Sequence, residues 1–168
     1  MAQEGLGRAF DISVGLAPVD LSVGANTGKR VSLRNAAGVT IVFRKGAGGA
    51  GEDPVLTLQQ HTAASGGSSA NLASIDHYYY KSATTMAGTE TWTRAAQSAS
   101  QTVTLTGEAQ KQGIYVFFVN GQSLADGYKY VSLSIADVGS TAQLGSVEYF
   151  LGDLTQQRTP GNLPAGLS

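Results

Sequence analysis

The strongest constraint on this chain is a period-two alternation of apolar and polar side chains, repeated in short runs that Gly, Asn and Asp interrupt. From Lys129 to Ile135, Val131, Leu133 and Ile135 alternate with Tyr130, Ser132 and Ser134; from Thr102 to Thr106, Val103 and Leu105 alternate with threonines. Alternation of this kind puts one face of a strand on a core and the other outward, as in antiparallel sheets. Further strands are predicted over Phe10–Val14, Arg30–Arg34, Val39–Arg44, Val55–Gln59, Ile75–Tyr80, Thr89–Arg94, Ile114–Val119 and Ser146–Leu151, whose β-branched and aromatic content suits a pleated surface. Ile114–Val119 is apolar on both faces and reads as a central strand. Asn120-Gly121 behind it is a turn signal.

Helical periodicity is scarce. Thr106–Gln112 and Ala70–Ser74 are each long enough for one helical turn, below the usual helix length. The expectation is an all-β fold, a β-sandwich or jelly-roll-like antiparallel domain of about eight to ten strands over residues 10–154. An N-terminal arm, residues 1–9, and an extended C-terminal arm, residues 155–168, flank it, the latter because Pro160, Gly161, Pro164 and Gly166 break regular structure. Gly46–Pro54 and Thr62–Asn71 read as loops. The first is expected to be a mobile hairpin tip between two paired strands.

A chain of 168 residues fits one domain with an adequate core. It has no cysteine, which removes disulfides, thiolate nucleophiles and cysteine metal sites. Eleven Lys and Arg against twelve Asp and Glu, scattered along the chain, argue against nucleic acid as a partner, since phosphate binding needs concentrated positive charge. No basic-then-apolar leader and no run of about 18 apolar residues occur, so the chain is expected to be made in the cytoplasm without membrane attachment. Charged residues are only 14% of the chain, against roughly 25% for ordinary soluble domains, so its surface must be uncharged or partly covered by neighbours.

Chemical constellations are weak. Gly24 to Arg30 resembles a phosphate-binding loop, but its first glycine is one residue too close, Arg30 stands where a hydroxyl should hold magnesium, and no helical pattern follows. The two histidines, His61 and His77, have Asp76 as their nearest acidic companion. Adjacent strand residues point to opposite faces, so Asp76 and His77 are not expected to converge on one ion. No Gly-x-Ser-x-Gly turn exists, and Glu52, Asp53, Glu90, Glu108 and Glu148 show no catalytic pairing. No catalytic, cofactor-binding or metal residues are therefore assigned, and no enzyme activity is expected.

The aromatic residues are more informative. Tyr78, Tyr79 and Tyr80 in one strand must put rings on both faces, so one of them is expected to meet something outside its own core, as is Trp92. Three readings stay open: sugar platforms of a carbohydrate-binding β-sandwich module, contacts between subunits of an assembly, or core aromatics with hydroxyls at the rim. In the C-terminal arm, Pro160, Leu163, Pro164 and Leu167 offer apolar anchors on a stiffened backbone and complete the expected interface residues.

Three stretches, NTGKRVSLRNAAGVTIVFRKGAGGAGEDPVLTLQQH from Asn26, IDHYYYKSATTMAGTETWT from Ile75 and EYFLGDLTQQRTPGNLP from Glu148, resemble the small structural proteins found beside the major capsid protein in tailed bacteriophages, as in phages of actinobacteria. The resemblance covers more than half the chain and carries no chemical motif. It implies a capsid-decoration or cement protein on the phage head surface, made in the host bacterial cytoplasm. The implied partners are the major capsid protein and copies of itself as a homotrimer. A tail or other head subunit is the neighbouring alternative.

Overall fold

In the computed structural model, which describes residues 5–167, the chain is all-β, with 50% of residues in strands and three short 3-10 turns as its only helical elements among the described residues. Eleven strands form two antiparallel sheets arranged as a sandwich. The larger has the order β1 (Phe10–Asp20), β11 (Leu144–Leu154), β3 (Ala36–Lys45), β9 (Gln112–Asn120), β6 (Ile75–Ala83), β7 (Thr93–Ser100). The smaller runs β2 (Val31–Ser32), β10 (Tyr130–Ile135), β4 (Val55–His61), β5 (Ser69–Asn71), with β8 (Thr102–Thr104) sharing the β4 edge with β5.

The alternation sets the layers. Val39, Ile41 and Phe43 of β3 and Tyr115, Phe117 and Val119 of β9 meet Leu56 and Leu58 of β4 and Val131, Leu133 and Ile135 of β10 in the core. Tyr149 is the strut between layers: its buried hydroxyl accepts from Leu133 N and donates to Lys29 O, each at 3.0 Å. Burial pushes its pKa up to about 12, despite the Leu133 amide that favours the anion.

Several expectations change. Strands β3 and β4 do not pair across a hairpin; they lie in different sheets, and Gly46–Pro54 is the crossover between them. That crossover is tied down. Gly48 N donates to Ala109 O at 2.9 Å, the Glu52 carboxylate accepts from the amides of Gly49, Ser140 and Thr141, and Asp53 accepts from those of Gly107, Glu108 and Ala109. Edge strand β7 begins at Thr93 rather than Thr89, because Glu90 folds its own loop by accepting from Ala87 N and Gly88 N. Ser69–Asn71 is a strand where a loop and a helical turn were expected.

The C-terminal segment lies along the body instead of projecting from it. Thr155 N donates to Asn35 O, Arg158 N to Gly7 O, and Gly166 O accepts from Ser32 N; Leu163 packs against the core. Of the expected N-terminal arm, residues 1–4 lie outside the described residues, and Gly5–Ala9 form a turn closed by Ala9 N to Gly5 O.

Candidate functional site

The two outer faces of the sandwich differ in kind. The smaller sheet is mainly polar outside: Thr57, Gln59, Asn71, Thr102, Ser132 and Ser134 share that face through their registers, with His61 and Tyr130, both buried, at one end and Val55 at the other. The larger sheet carries two mainly apolar rows outside, beside a row of Ser146, Arg44, Ile114 and Lys81. Reading across all six strands, one row runs Val14, Glu148, Val42, Val116, Tyr79, Arg94. A second row runs Ile12, Phe150, Thr40, Phe118, with His77 stacked beside Phe118 at 6.2 Å between ring centroids.

Single exposed apolar residues are ordinary on protein surfaces, but a contiguous face of them is not. Ile12 and Phe118 are each 46% exposed, and Leu144, at the end of β11 on the same side, is 64% exposed. Six strands about 4.8 Å apart make the face roughly 25 Å wide. Four charged side chains sit on it: Arg44 Nε lies 3.6 Å from Glu148 Oε2 near the middle, and Lys81 and Arg94 sit toward one edge.

The three consecutive tyrosines divide as a strand requires. Tyr78 and Tyr80 turn inward, at 5.4 Å from the Phe117 ring and 6.0 Å from the Tyr115 ring, while Tyr79 points outward and meets Phe118 edge-on at 6.1 Å. Trp92 lies in the loop before β7, 51% exposed, with Lys81 Nζ 4.9 Å from its ring centroid. Pro160, Pro164 and Leu167 are exposed, whereas Leu163 is half-buried on the core; all four belong to the clamped segment that follows β11. Ile12, Val14, Val42, Val116, Phe118 and Phe150 are the face residues that the sequence reading did not single out. Their signal was the two-sided apolar character of Ile114–Val119, which in a two-layer sandwich must leave one apolar face outside.

Other groupings resolve into structure. Asp76 and His77 do meet, Oδ1 to Nδ1 at 2.6 Å, at a register irregularity in β6, and the hydrogen bond to His77 holds the Asp76 carboxyl below its usual range. His61 is in the other sheet, and among the described residues no three His, Asp or Glu side chains are grouped to hold a metal ion. Residues 25–30 form a connection into β2, with Lys29 N donating to Gly15 O and no helix following, so the loop has no phosphate cradle.

Lys45 is buried with its ammonium among the carbonyl oxygens of Gly46, Glu108, Ala109 and Lys111, and burial pushes its pKa down to about 8. Burial works to raise the pKa of Glu108, but hydrogen bonds from Lys111 and Tyr115 outweigh it and leave it lowered. This cluster ties the end of β3 to the β8–β9 connection. An open groove of about 410 Å³ at the opposite end is lined by Arg34, Lys129, Tyr128, Gln122, amides and aliphatic groups, without a carboxylate or histidine for acid–base work. No protein-family model matches the chain, and neither does any curated protein or solved structure.

Proposed function

We propose that the protein is a non-enzymatic structural subunit of a tailed-phage particle, a capsid-decoration or cement protein of the head surface that stabilises the shell through surface contacts with the major capsid protein and with copies of itself. The observation that carries the reading is the apolar outer face of the six-stranded sheet. A two-layer sandwich that works alone in water has polar residues there, as the smaller sheet has. Covering Ile12, Val14, Phe118 and Phe150 with a neighbour removes apolar area worth about 25 cal/mol per Å². The low charge of the whole chain and the resemblance of three sequence stretches to small phage head proteins point the same way.

The sugar-binding alternative has less support. Sugar platforms need rings that lie flat in a row, but the rings of His77 and Tyr79 are 85° apart, those of Tyr79 and Phe118 are 81° apart, and one face of Trp92 is taken by Lys81. A tail or other head subunit would use the same face, and counting copies in purified particles separates the roles.

The test is binding to undecorated capsids. Phe118→Asp places a charge in the middle of the face without touching the core, so it is expected to lower occupancy at least tenfold while the isolated domain melts within a few degrees of wild type. Unchanged occupancy, or a glycan-array signal with no capsid binding, overturns the reading.

A further inference from the structure

We infer that the neighbour covering the outer face of the larger sheet is a second copy of this chain, packed face to face about a twofold axis; this rests on the reading of that face as an assembly surface. A twofold interface requires a patch that complements itself. The face meets this requirement at several positions of its central rows, while Val42 falls on the stem of Arg44 and Phe118 on Gln112.

Consider an axis lying in the interface across the strands, between the row holding Glu148, Val42, Val116 and Tyr79 and the next row, holding Ser146, Arg44, Ile114 and Lys81. The twofold sets each row against the other row of the second copy. Val116 then meets Ile114, and Tyr79 meets the stem of Lys81. Glu148 faces Ser146 of the other copy, and that copy's Arg44 is offset sideways by one strand spacing, about 4.8 Å, across facing sheets about 10 Å apart, a gap the two long side chains span. The Arg44–Glu148 pair can thus be made between copies as well as within one. One row further out, Phe150 faces Leu144, whose exposure otherwise has no purpose. Directly opposite positions carry no like charges, and the one repulsive neighbour is at the edge, where Arg94 comes one strand spacing from Lys81 of the other copy.

Size is consistent with such a pair. Four rows at about 6.8 Å over a width of roughly 25 Å give on the order of 600 Å² per copy, against about 800 Å² per partner for a stable interface of standard size. That footprint, polar positions included, matches the upper end of the largest patches, about 300–600 Å², that monomers leave open. A twofold pair replaces the trimer that the resemblance implies. It forms at moderate protein concentration and is reinforced where a lattice holds copies close together.

The decisive experiment uses charge reversal with mixing, read by analytical ultracentrifugation. Wild type is expected to sediment as a dimer at about 100 μM, above an affinity in the micromolar range. Glu148→Arg gives a face with two arginines and Arg44→Glu a face with two glutamates. Each variant alone has lost its internal pair and repels its own copy, so each is expected to associate at least tenfold more weakly. Mixed in equal amounts, the two faces are opposite in sign, and a heterodimer is expected to return. Misfolding of either variant cannot produce that recovery.

A wild-type monomer at this concentration, a trimer, or a dimer unaffected by both reversals overturns the inference. Capsid binding measured on the same samples separates it from the proposed function. A monomer that still decorates capsids through this face sinks the twofold pair alone, and a dimer that ignores capsids sinks the capsid role alone.

Discussion

His61 is the side chain whose chemistry most directly ties stability to solution conditions. It is buried in the smaller sheet, with Nδ1 at 2.8 Å from Ser69 Oγ and Nε2 at 2.8 Å from Ser132 Oγ, so one ring links β5 to β10 across β4. Burial lowers its pKa to about 4, and the Arg30 guanidinium, which itself holds Ala63 O, Gly66 O and Ser69 Oγ, adds to the shift. The fold therefore favours neutral His61, whereas the unfolded chain takes up a proton near pH 6.5. Its contribution is complete above pH 6.5 and is lost as pH falls toward 4. Asp20, Glu52 and Glu90, lowered by hydrogen bonds from backbone amides, lose theirs only below about pH 4.5, so the upper window isolates the histidine. The melting temperature is expected to fall by about 5 °C between pH 6.5 and 4.5, and by half that or less in His61→Gln. Equal slopes in the two proteins would show that His61 is not the titrating group.

At the scale of elements, strands with bulky alternating residues were legible in the sequence, and strands built on small residues were not. Lys129–Ile135 and Ile114–Val119 were readable because branched and aromatic residues mark one or both faces. Arg94–Ser100 is almost entirely Ala, Ser and Gln, and the three residues of β5 are Ser, Ala and Asn; they are strands because neighbours pair with them, which no local pattern announces. Of the face itself, Tyr79 was visible as a candidate, but Ile12, Val14 and Phe150 were read only as parts of strands, with no face assigned to them. The glycine-rich crossover was misread for a related reason, since its order comes from carboxylates that act at a distance in sequence. Asp53 accepts three consecutive amides in the β8–β9 connection, at 2.8 to 3.0 Å. Asp53→Ala is expected to destabilise the fold by about 1–3 kcal/mol, lowering the melting temperature by roughly 3–8 °C. Amide exchange of residues 107–109 should accelerate more than that of β3 or β9, and uniform acceleration would mean the carboxylate has no local role.

For the whole molecule, the C-terminal segment decides whether the body ends at Leu154 or needs the residues beyond it. A chain this rich in proline and glycine reads as an arm able to reach across a neighbour, but its backbone groups are spent on its own domain. The short strand β2 has one free edge, and Gly166 O accepts from Ser32 N there, covering an edge that would otherwise invite pairing with other chains. At the far side of the clamp, Gly7 has φ +81°, and a Cβ added to it would lie 2.2 Å from Arg158 O, so the N-terminal turn and the C-terminal segment are fitted to each other. Leu163 adds apolar burial worth on the order of 1–2 kcal/mol. A passive tail could be removed at no cost in stability. Truncation after Leu154 is instead expected to lower the melting temperature by about 5–10 °C, as a loss of roughly 2–3 kcal/mol does in a domain of this size. It should also promote slow association through the uncovered β2 edge. Gly7→Ala, which strains the same contact without deleting any residue, should give a smaller decrease in the same direction. If both proteins melt with wild type, the segment is only resting on the surface, and its reach toward other subunits becomes the better account of its composition.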